Sequence, residues 1–235
     1  GYKYAYNDGD GSTYYDVEYP IQLQSLDPRF HDASMLVQPL PFAKMHDTYP
    51  MLNGRGYPDT VDTFPAGMLN TADQAGFEQK YSQRVHSLIR VPQGQKVLIR
   101  FSGLAMEAYS MTVLGIPMRI VGRDAKLLRG PAPNFKDLSY TTSTVTVSGG
   151  TSFDAILDTT GIAEGTYFLY TTNLNNLSND LEDFGGMMTE VVVCPSGGCP
   201  PLAAAQAQDV GTTSRAPAGS RNGPAKRATG SRTTE

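Results

Sequence analysis

The chain is poor in the residues from which metal sites and redox centres are built. It has 235 residues but only three histidines, two cysteines and no tryptophan. The histidines His31, His46 and His86 stand far apart, whereas a metal site needs three or four converging ligands. The sequence therefore predicts no histidine metal site. The alternative is a metal shared by His31 and His46, each of which precedes an aspartate.

Two further absences restrict the functional class. No run of about 18 apolar residues occurs, which argues against a transmembrane helix. The formal net charge of −4 argues against nucleic acid as the main partner. The chain begins at Gly1 without a methionine and without a signal-peptide pattern, so we expect a mature form or a fragment.

The two cysteines are close neighbours in the segment CPSGGC. A disulfide between Cys194 and Cys199 would close a short loop and fit an oxidising compartment. Two free thiols in a flexible segment fit the sequence equally well. A zinc site is the weaker alternative, because no second pair of cysteines or histidines accompanies them.

Short strand-forming segments dominate the chain from Val85 onward. They are rich in β-branched residues and separated by Gly or Pro: VHSLIRV, KVLIRFSG, YSMTVLG, MRIVGRD, TVTVSGG, SFDAILDT, GTYFLYTT and MTEVVV. Such spacing predicts an all-β antiparallel sandwich or Greek-key barrel rather than a parallel sheet. No segment predicts a helix of three turns, and residues 70–83 predict one turn at most.

The two ends of the chain differ from this middle part. Residues 1–38 predict an N-terminal arm and connector, with a β-turn rather than a calcium loop at NDGDG and a loop at DPRFHDAS. Tyr2, Tyr4 and Tyr6 alternate, so we expect the arm to pair with a sheet edge of its own or a neighbouring chain. A frayed terminus is the alternative. Residues 194–235 predict a flexible, disordered tail, with attachment to an anionic surface as the alternative.

One long stretch, from Gly165 to Val193, has the frame of a copper-binding strand without the ligands. It resembles the last cupredoxin strand of multicopper oxidases, which reads G-x-[YW]-x-x-H-C-H-x-x-x-H. In that family the strand is followed by an acidic stretch, then by G-M-M and a β-branched strand. The matching residues are Gly165, Tyr167, Gly186, Met187, Met188 and Val191 to Val193. The His-Cys-His positions and the last His position fall on Tyr170, Thr171, Thr172 and Asn176.

Two other stretches are similar to the same family. Lys96 to Leu127 resembles R-[LF]-x-N…H-x-H-G-x-x-[FM]-x-V-x-x-[DR]-[DG], with its H-x-H pair falling on Thr112 and Leu114. The residues that keep their places there are Arg100, Gly115, Met118, Val121 and Asp124. Met51 to Thr60, MLNGRGYPDT, resembles the [IL]-N-G-[RK]-x-[YF]-P-D-T that opens oxidase domains. The resemblance spans roughly Pro39 to Val193.

The resemblance implies an all-β, Greek-key cupredoxin-like β-sandwich over residues 39–193, as the C-terminal part of a multicopper oxidase-like protein. A type 1 copper needs two imidazoles and a thiolate, which Thr, Tyr and Asn cannot replace. We therefore expect no catalytic, cofactor-binding or metal residue in this chain. Met187 and Met188 are soft enough to bind copper, but we expect them to fill the core.

The function that the resemblance implies belongs to a larger assembly. In multicopper oxidases a trinuclear copper cluster lies between domains, so a copper-free domain could scaffold or pack on a copper-bearing domain or partner. This chain alone is then expected to be inactive, located in the periplasm or secreted, with copper only in the partner. The alternative is a self-associating structural β-sandwich, assembled by strand addition and without a redox role. A weak ligand-binding module is the third reading.

Overall fold

The fold was determined as a computed structural model that describes residues 2–63, 85–182 and 184–202. Within these ranges strands are the main regular structure, with one α-helix and three short 3₁₀ helices at Phe42–Lys44, Asp59–Val61 and Leu174–Leu177. In chain order the elements are β1 Lys3–Tyr4, β2 Tyr14–Tyr15, β3 Val17–Gln24, α1 Pro28–Met35, β4 Met51–Leu52, β5 Ile89–Pro92, β6 Lys96–Gly103, β7 Tyr109–Val113, β8 Met118–Arg123, β9 Lys126–Leu127, β10 Tyr140–Thr142, β11 Thr144–Val147, β12 Ser152–Asp158, β13 Gly165–Thr171 and β14 Met188–Cys194.

The strands form two packed sheets and one separate hairpin. One sheet has the order β10-β8-β12-β6-β3-β4, with β9 beside β8, and is called the large sheet. The other has the order β11-β7-β13-β14-β5 and is called the five-stranded sheet. Because β5 to β8 and β10 to β13 pass repeatedly from one sheet to the other, the chain forms a Greek-key sandwich, as predicted.

Most strand pairs are antiparallel, but two pairs are parallel. β3 runs parallel to β6 in the large sheet, and β14 runs parallel to β5 in the five-stranded sheet. Parallel neighbours need long connections, and both pairs join strands that are distant in the sequence. The sequence pattern did not predict these two pairs, because strand direction depends on those long connections.

The core lies between the two sheets, where alternate residues of each strand point inward. Residues of this core that are fully buried include Ile99, Phe101, Met111, Ile120, Leu157, Leu169 and Val191. Burying each such side chain stabilises the fold by about 1.5–3 kcal/mol. The sandwich therefore has an extensive apolar interior that stabilises it.

Residues 2–15 cover the outer face of the large sheet. β1 pairs with β2 as a small hairpin, and Ala5 and Tyr15 pack on a second apolar cluster formed by Leu98, Val121 and Ile156. The start of the arm thus pairs with itself and lies over a sheet face, whereas its last residues, Val17 to Tyr19, begin β3 and pair with β6 of the large sheet, in line with the predicted pairing. Residues 2–15 lie on this face because they bury apolar surface: Leu98, Val121 and Ile156 of three strands point outward and would otherwise face solvent.

The segment predicted as the loop DPRFHDAS is a helix, so that prediction was wrong. α1 begins after Asp27, whose Oδ1 accepts hydrogen bonds from the backbone N–H groups of Arg29 and Phe30 at 3.0 and 3.3 Å. Pro28 occupies the first turn, where its missing N–H costs nothing. An aspartate cap followed by proline favours the start of a helix. This signal decided the structure of the segment, although its polar composition had indicated a loop.

The strand segments predicted from Lys96 onward are all present. β5 begins at Ile89 rather than Val85, because Ser87 N–H donates to the carbonyl of Thr60 at 2.6 Å and the chain there follows the 3₁₀ helix. His86 therefore precedes the strand on which it was predicted. The predicted turn at 70–83 lies outside the described residues, as does most of the predicted tail. The domain boundaries at 39 and 193 remain predictions.

Candidate functional site

The His-Cys-His positions of the resemblance lie at the end of β13. Thr171 points into the core and is 0% exposed, whereas Tyr170 is half-buried and Thr172 is exposed. Strand alternation places position 171 on the inner face and positions 170 and 172 on the outer face. Position 171 therefore lies in the core, whereas positions 170 and 172 lie on the outer surface of the sheet.

The inner position is filled by close packing. Thr171 lies opposite Met111 of β7, and its N–H donates to the carbonyl of Met187 at 3.0 Å. Both methionines are fully buried in the main core, as we expected for Met187, whereas Met188, also expected there, is only half-buried. The hydroxyls of Thr171 and Thr189 are buried and have no hydrogen-bond partner in the part of the chain that the structure describes. The ring of Tyr109 lies in the same core, and burial raises its pKa to about 12, so the phenol stays neutral.

The last His position has a structural role in the backbone. Asn176 lies in the 3₁₀ helix Leu174–Leu177, and its carbonyl accepts from Met187 N–H at 2.9 Å. Gly186 has φ +79°, and a Cβ there would lie 2.2 Å from the Asn176 oxygen. Glycine is required because this close approach leaves no room for a side chain. The G-M-M match thus reflects a tight turn followed by a buried methionine.

The outer positions gather on one face of the five-stranded sheet. Thr112 lies opposite Tyr170, and its hydroxyl donates to the carbonyl of Ser143 at 2.7 Å. Leu114 is 60% exposed, and its N–H donates to the carbonyl of Phe168 at 3.1 Å. The four positions that correspond to paired histidines in the oxidases therefore share one surface, which we call the outer ligand face: Thr112, Leu114, Tyr170 and Thr172.

The histidines lie outside this region. His31 and His46 are exposed, and both bond to Asp27 through their backbone N–H groups, at its carbonyl and its Oδ2 respectively. The bond from His46 is the main reason why the pKa of Asp27 is lowered. Burial lowers the pKa of His86, and the Arg55 guanidinium lowers it further.

The structure offers no cluster of metal-binding side chains in residues 2–63, 85–182 and 184–202. No three residues of the His, Cys, Asp and Glu types come together there in a way that could hold a metal ion. The shared metal on His31 and His46 therefore gains no support. The expectation that this chain binds no copper remains a prediction.

The two aspartates of NDGDG form an ion-pair cluster. Asp8 and Asp10 both pair with the guanidinium of Arg129, which has little exposed surface. A backbone N–H of Ser12 and then its hydroxyl hold the pKa of Asp10 far below its usual range, with Arg129 assisting. Sequence reasoning gave the turn but missed Arg129, because no local pattern links residues so far apart.

A second polar cluster connects the N-terminal hairpin to the large sheet. The Tyr6 hydroxyl donates to Asp154 Oδ2 at 2.5 Å, and Arg100 Nη1 pairs with Asp154 Oδ1 at 3.0 Å. Arg100 also pairs with Glu18. Burial and then the Asp154 carboxylate raise the pKa of Tyr6 well above its usual range. Arg100, one of the family-like residues, thus connects two strands and the hairpin.

The cysteine pair is bonded. Cys194 and Cys199 form a disulfide with a Cα–Cα distance of 5.1 Å, at the end of β14. Of the alternatives that the sequence left open, the structure contains the local disulfide. The two sulfurs are therefore not available as free thiols or zinc ligands.

The comparisons with known proteins identify the architecture. No model of a protein family matches the chain, and no curated protein matches it. Among solved structures, the blue copper oxidase from Nitrosomonas europaea is similar with a TM-score of 0.54 and 16% identity, over 75% of this chain and 43% of that one. The multicopper oxidase mgLAC is similar with a TM-score of 0.52 and 16% identity, over 79% of this chain and 45% of that one.

These similarities show the fold. The chain has a cupredoxin-like β-sandwich, which confirms the predicted fold class. It spans less than half the length of either oxidase. No helix in the described part of the chain is long and apolar enough to cross a membrane. At this identity the activity of those oxidases does not follow for this chain.

Proposed function

We propose that the chain is a copper-free, cupredoxin-like portion of a multicopper oxidase-like protein, which packs on a copper-bearing domain or partner. The observation that carries the proposal is the outer ligand face. Thr112, Leu114, Tyr170 and Thr172 occupy one sheet face at the positions of paired histidines, and their side chains cannot replace imidazole. The family-like residues Gly186 and Met187 beside them form a tight turn and fill the core.

The local chemistry supports a packing role for this face. Phe168 and Tyr170 are half-buried side chains on β13, and the neighbouring Ser110 and Thr146 hydroxyls bond to each other at 2.7 Å. Aromatic rings beside paired hydroxyls offer both apolar area and satisfied polar groups. Interfaces between proteins commonly combine these two features.

The proposed location is the periplasm or the outside of the cell. The disulfide between Cys194 and Cys199 supports it, because such bonds form and persist in oxidising compartments. The second candidate is self-association by strand addition, which gains less support because one edge of β1 already pairs with β2 of the same chain.

Isolation of the native assembly from its source cells tests the proposal. We expect copper by elemental analysis, a copper-bearing domain or chain beside this one, and retention of that copper by the partner after separation. Tyr170→Arg should weaken the association, whereas Tyr140→Arg, at a 49% exposed tyrosine of the large sheet, should not. An assembly without copper, or one made only of copies of this chain, would overturn the proposal.

A further inference from the structure

A groove of about 400 Å³ lies on the N-terminal hairpin, away from the outer ligand face. Tyr2, Lys3, Tyr14, Tyr15 and Asp16 line it. None of the packing proposed for the five-stranded sheet uses this surface, because the hairpin covers the opposite sheet of the sandwich. The groove is therefore separate from the surface proposed to pack on a partner.

The groove presents an aromatic surface to solvent. Tyr2 is 81% exposed, although its ring contacts Tyr14 edge-on with a centroid distance of 5.9 Å and an angle of 72° between the ring planes. Tyr4 contacts the same ring of Tyr14, at 6.2 Å and 67°. Edge-on contacts fix the orientation of the rings and leave the face of Tyr2 open.

The polar groups of the groove are held in place. The Tyr14 hydroxyl bonds to Asp16, whose Oδ2 accepts from Lys96 N–H at 2.8 Å. The Lys3 ammonium donates to the carbonyl of Asp16 at 3.1 Å, which leaves it further donors. The hairpin itself is fixed to the large sheet through Tyr6 and Asp154. The site is therefore organised before any ligand arrives.

The balance of charges restricts the ligand. Among the described residues that line the groove, one carries an ammonium and one a carboxylate, so their formal charges balance. A cationic ligand would meet Lys3, and an anionic one would meet Asp16. A single carboxylate is too few for a calcium site, which takes six to eight oxygen ligands. The remaining features, a ring face beside hydroxyl, ammonium and carboxylate groups, suit a neutral molecule with one apolar face and a hydroxyl-rich edge.

We infer that this groove binds a neutral saccharide, with a sugar ring stacked on Tyr2 and its hydroxyl groups bonded to Lys3 and Asp16. The apolar C–H face of a pyranose ring matches an exposed tyrosine ring, and its hydroxyls can both donate and accept. Small-molecule sites combine apolar contact area with a few placed polar groups in this way. This inference is independent of any copper-bearing partner.

Tyrosine fluorescence and aromatic-ring NMR shifts test the inference, since no tryptophan masks the tyrosine signal. The probes are cellopentaose, mannopentaose and chitopentaose, with choline and a thymidine oligonucleotide as charged comparisons. We expect saturable binding of at least one oligosaccharide. Tyr2→Ala should weaken it about tenfold, the scale of one aromatic stacking partner.

Tyr140→Ala is the matched control, because it removes another exposed tyrosine, on β10, that is not among the residues lining the groove, and it should leave saccharide affinity unchanged. The melting temperature of each variant confirms that it folds. Failure of all three oligosaccharides to bind overturns the inference. Binding that Tyr2→Ala leaves intact, or a preference for choline or the oligonucleotide, overturns it equally.

Discussion

Replacing Thr171 by valine should stabilise the protein. Its hydroxyl is fully buried at the position of the copper-binding cysteine and has no hydrogen-bond partner among the described residues. A buried polar group left unsatisfied costs about 1–3 kcal/mol, and valine has nearly the same shape. We therefore expect the free energy of unfolding to rise by about 1 kcal/mol, which corresponds to an increase of about 2–4 °C in melting temperature.

Thr60→Val is the matched control. Thr60 is also fully buried, but its hydroxyl donates to the carbonyl of Met188 at 2.7 Å. Valine at this position should lower the free energy of unfolding by about 1–2 kcal/mol. Urea denaturation measures the change in the free energy of unfolding for both variants, and the two changes should have opposite signs. Destabilisation of Thr171→Val as large as that of Thr60→Val would refute the reasoning, because it would mean that the Thr171 hydroxyl has a bound partner.

Two further predictions concern the helix cap and the N-terminal hairpin. Asp27→Ala should cost about 1–2 kcal/mol by urea denaturation, because the cap of α1 and the bond to His46 are lost together; the exposed Ser34→Ala should change little. Tyr6→Phe should lower stability at pH 8. The raised folded-state pKa of Tyr6 means that its contribution is complete below about pH 10 and lost as pH rises through that folded pKa. The difference from the unchanged protein should therefore shrink at pH 11, and a constant difference would reject the Tyr6–Asp154 bond.

The strands were predictable because their signals are local. β6, β8 and β12 combine β-branched residues with bounding Gly or Asp, and their predicted limits differ from the observed ones by a residue or so. The helix after Asp27 was also within reach of local signals. Its capping aspartate and proline were present, and the polar residues that followed led to a wrong prediction.

The contacts of the N-terminal hairpin were not predictable from local patterns. Asp8 and Asp10 form ion pairs with Arg129, and the Tyr6 hydroxyl bonds to Asp154. In each case the partners are more than a hundred residues apart in the sequence. Only the three-dimensional placement of the hairpin brings these groups together. Tyr2, Tyr4 and Tyr6 alternate in the sequence, but Tyr2 and Tyr4 face solvent while Tyr6 turns to the sheet, so the alternation did not predict which rings contact the sheet.

Some features of the candidate site could likewise be predicted from the sequence, and others could not. The resemblance located Tyr170, Thr171 and Thr172, and strand alternation places the middle one on the opposite face from its two neighbours. The packing of Met111 and Met187 around Thr171 depends on neighbouring strands, so the sequence could not give it in full. The close approach of Gly186 to Asn176 likewise became evident only from the backbone path.

Copper loading of the purified chain tests the central claim most directly. The protein is incubated with Cu(II) and, separately, with Cu(I), dialysed, and examined by elemental analysis and by electron paramagnetic resonance after oxidation. With Tyr170, Thr171, Thr172 and Asn176 in place of the ligands, we predict no stoichiometric copper and no type 1 signal. One copper per chain with a type 1 signal would contradict the account.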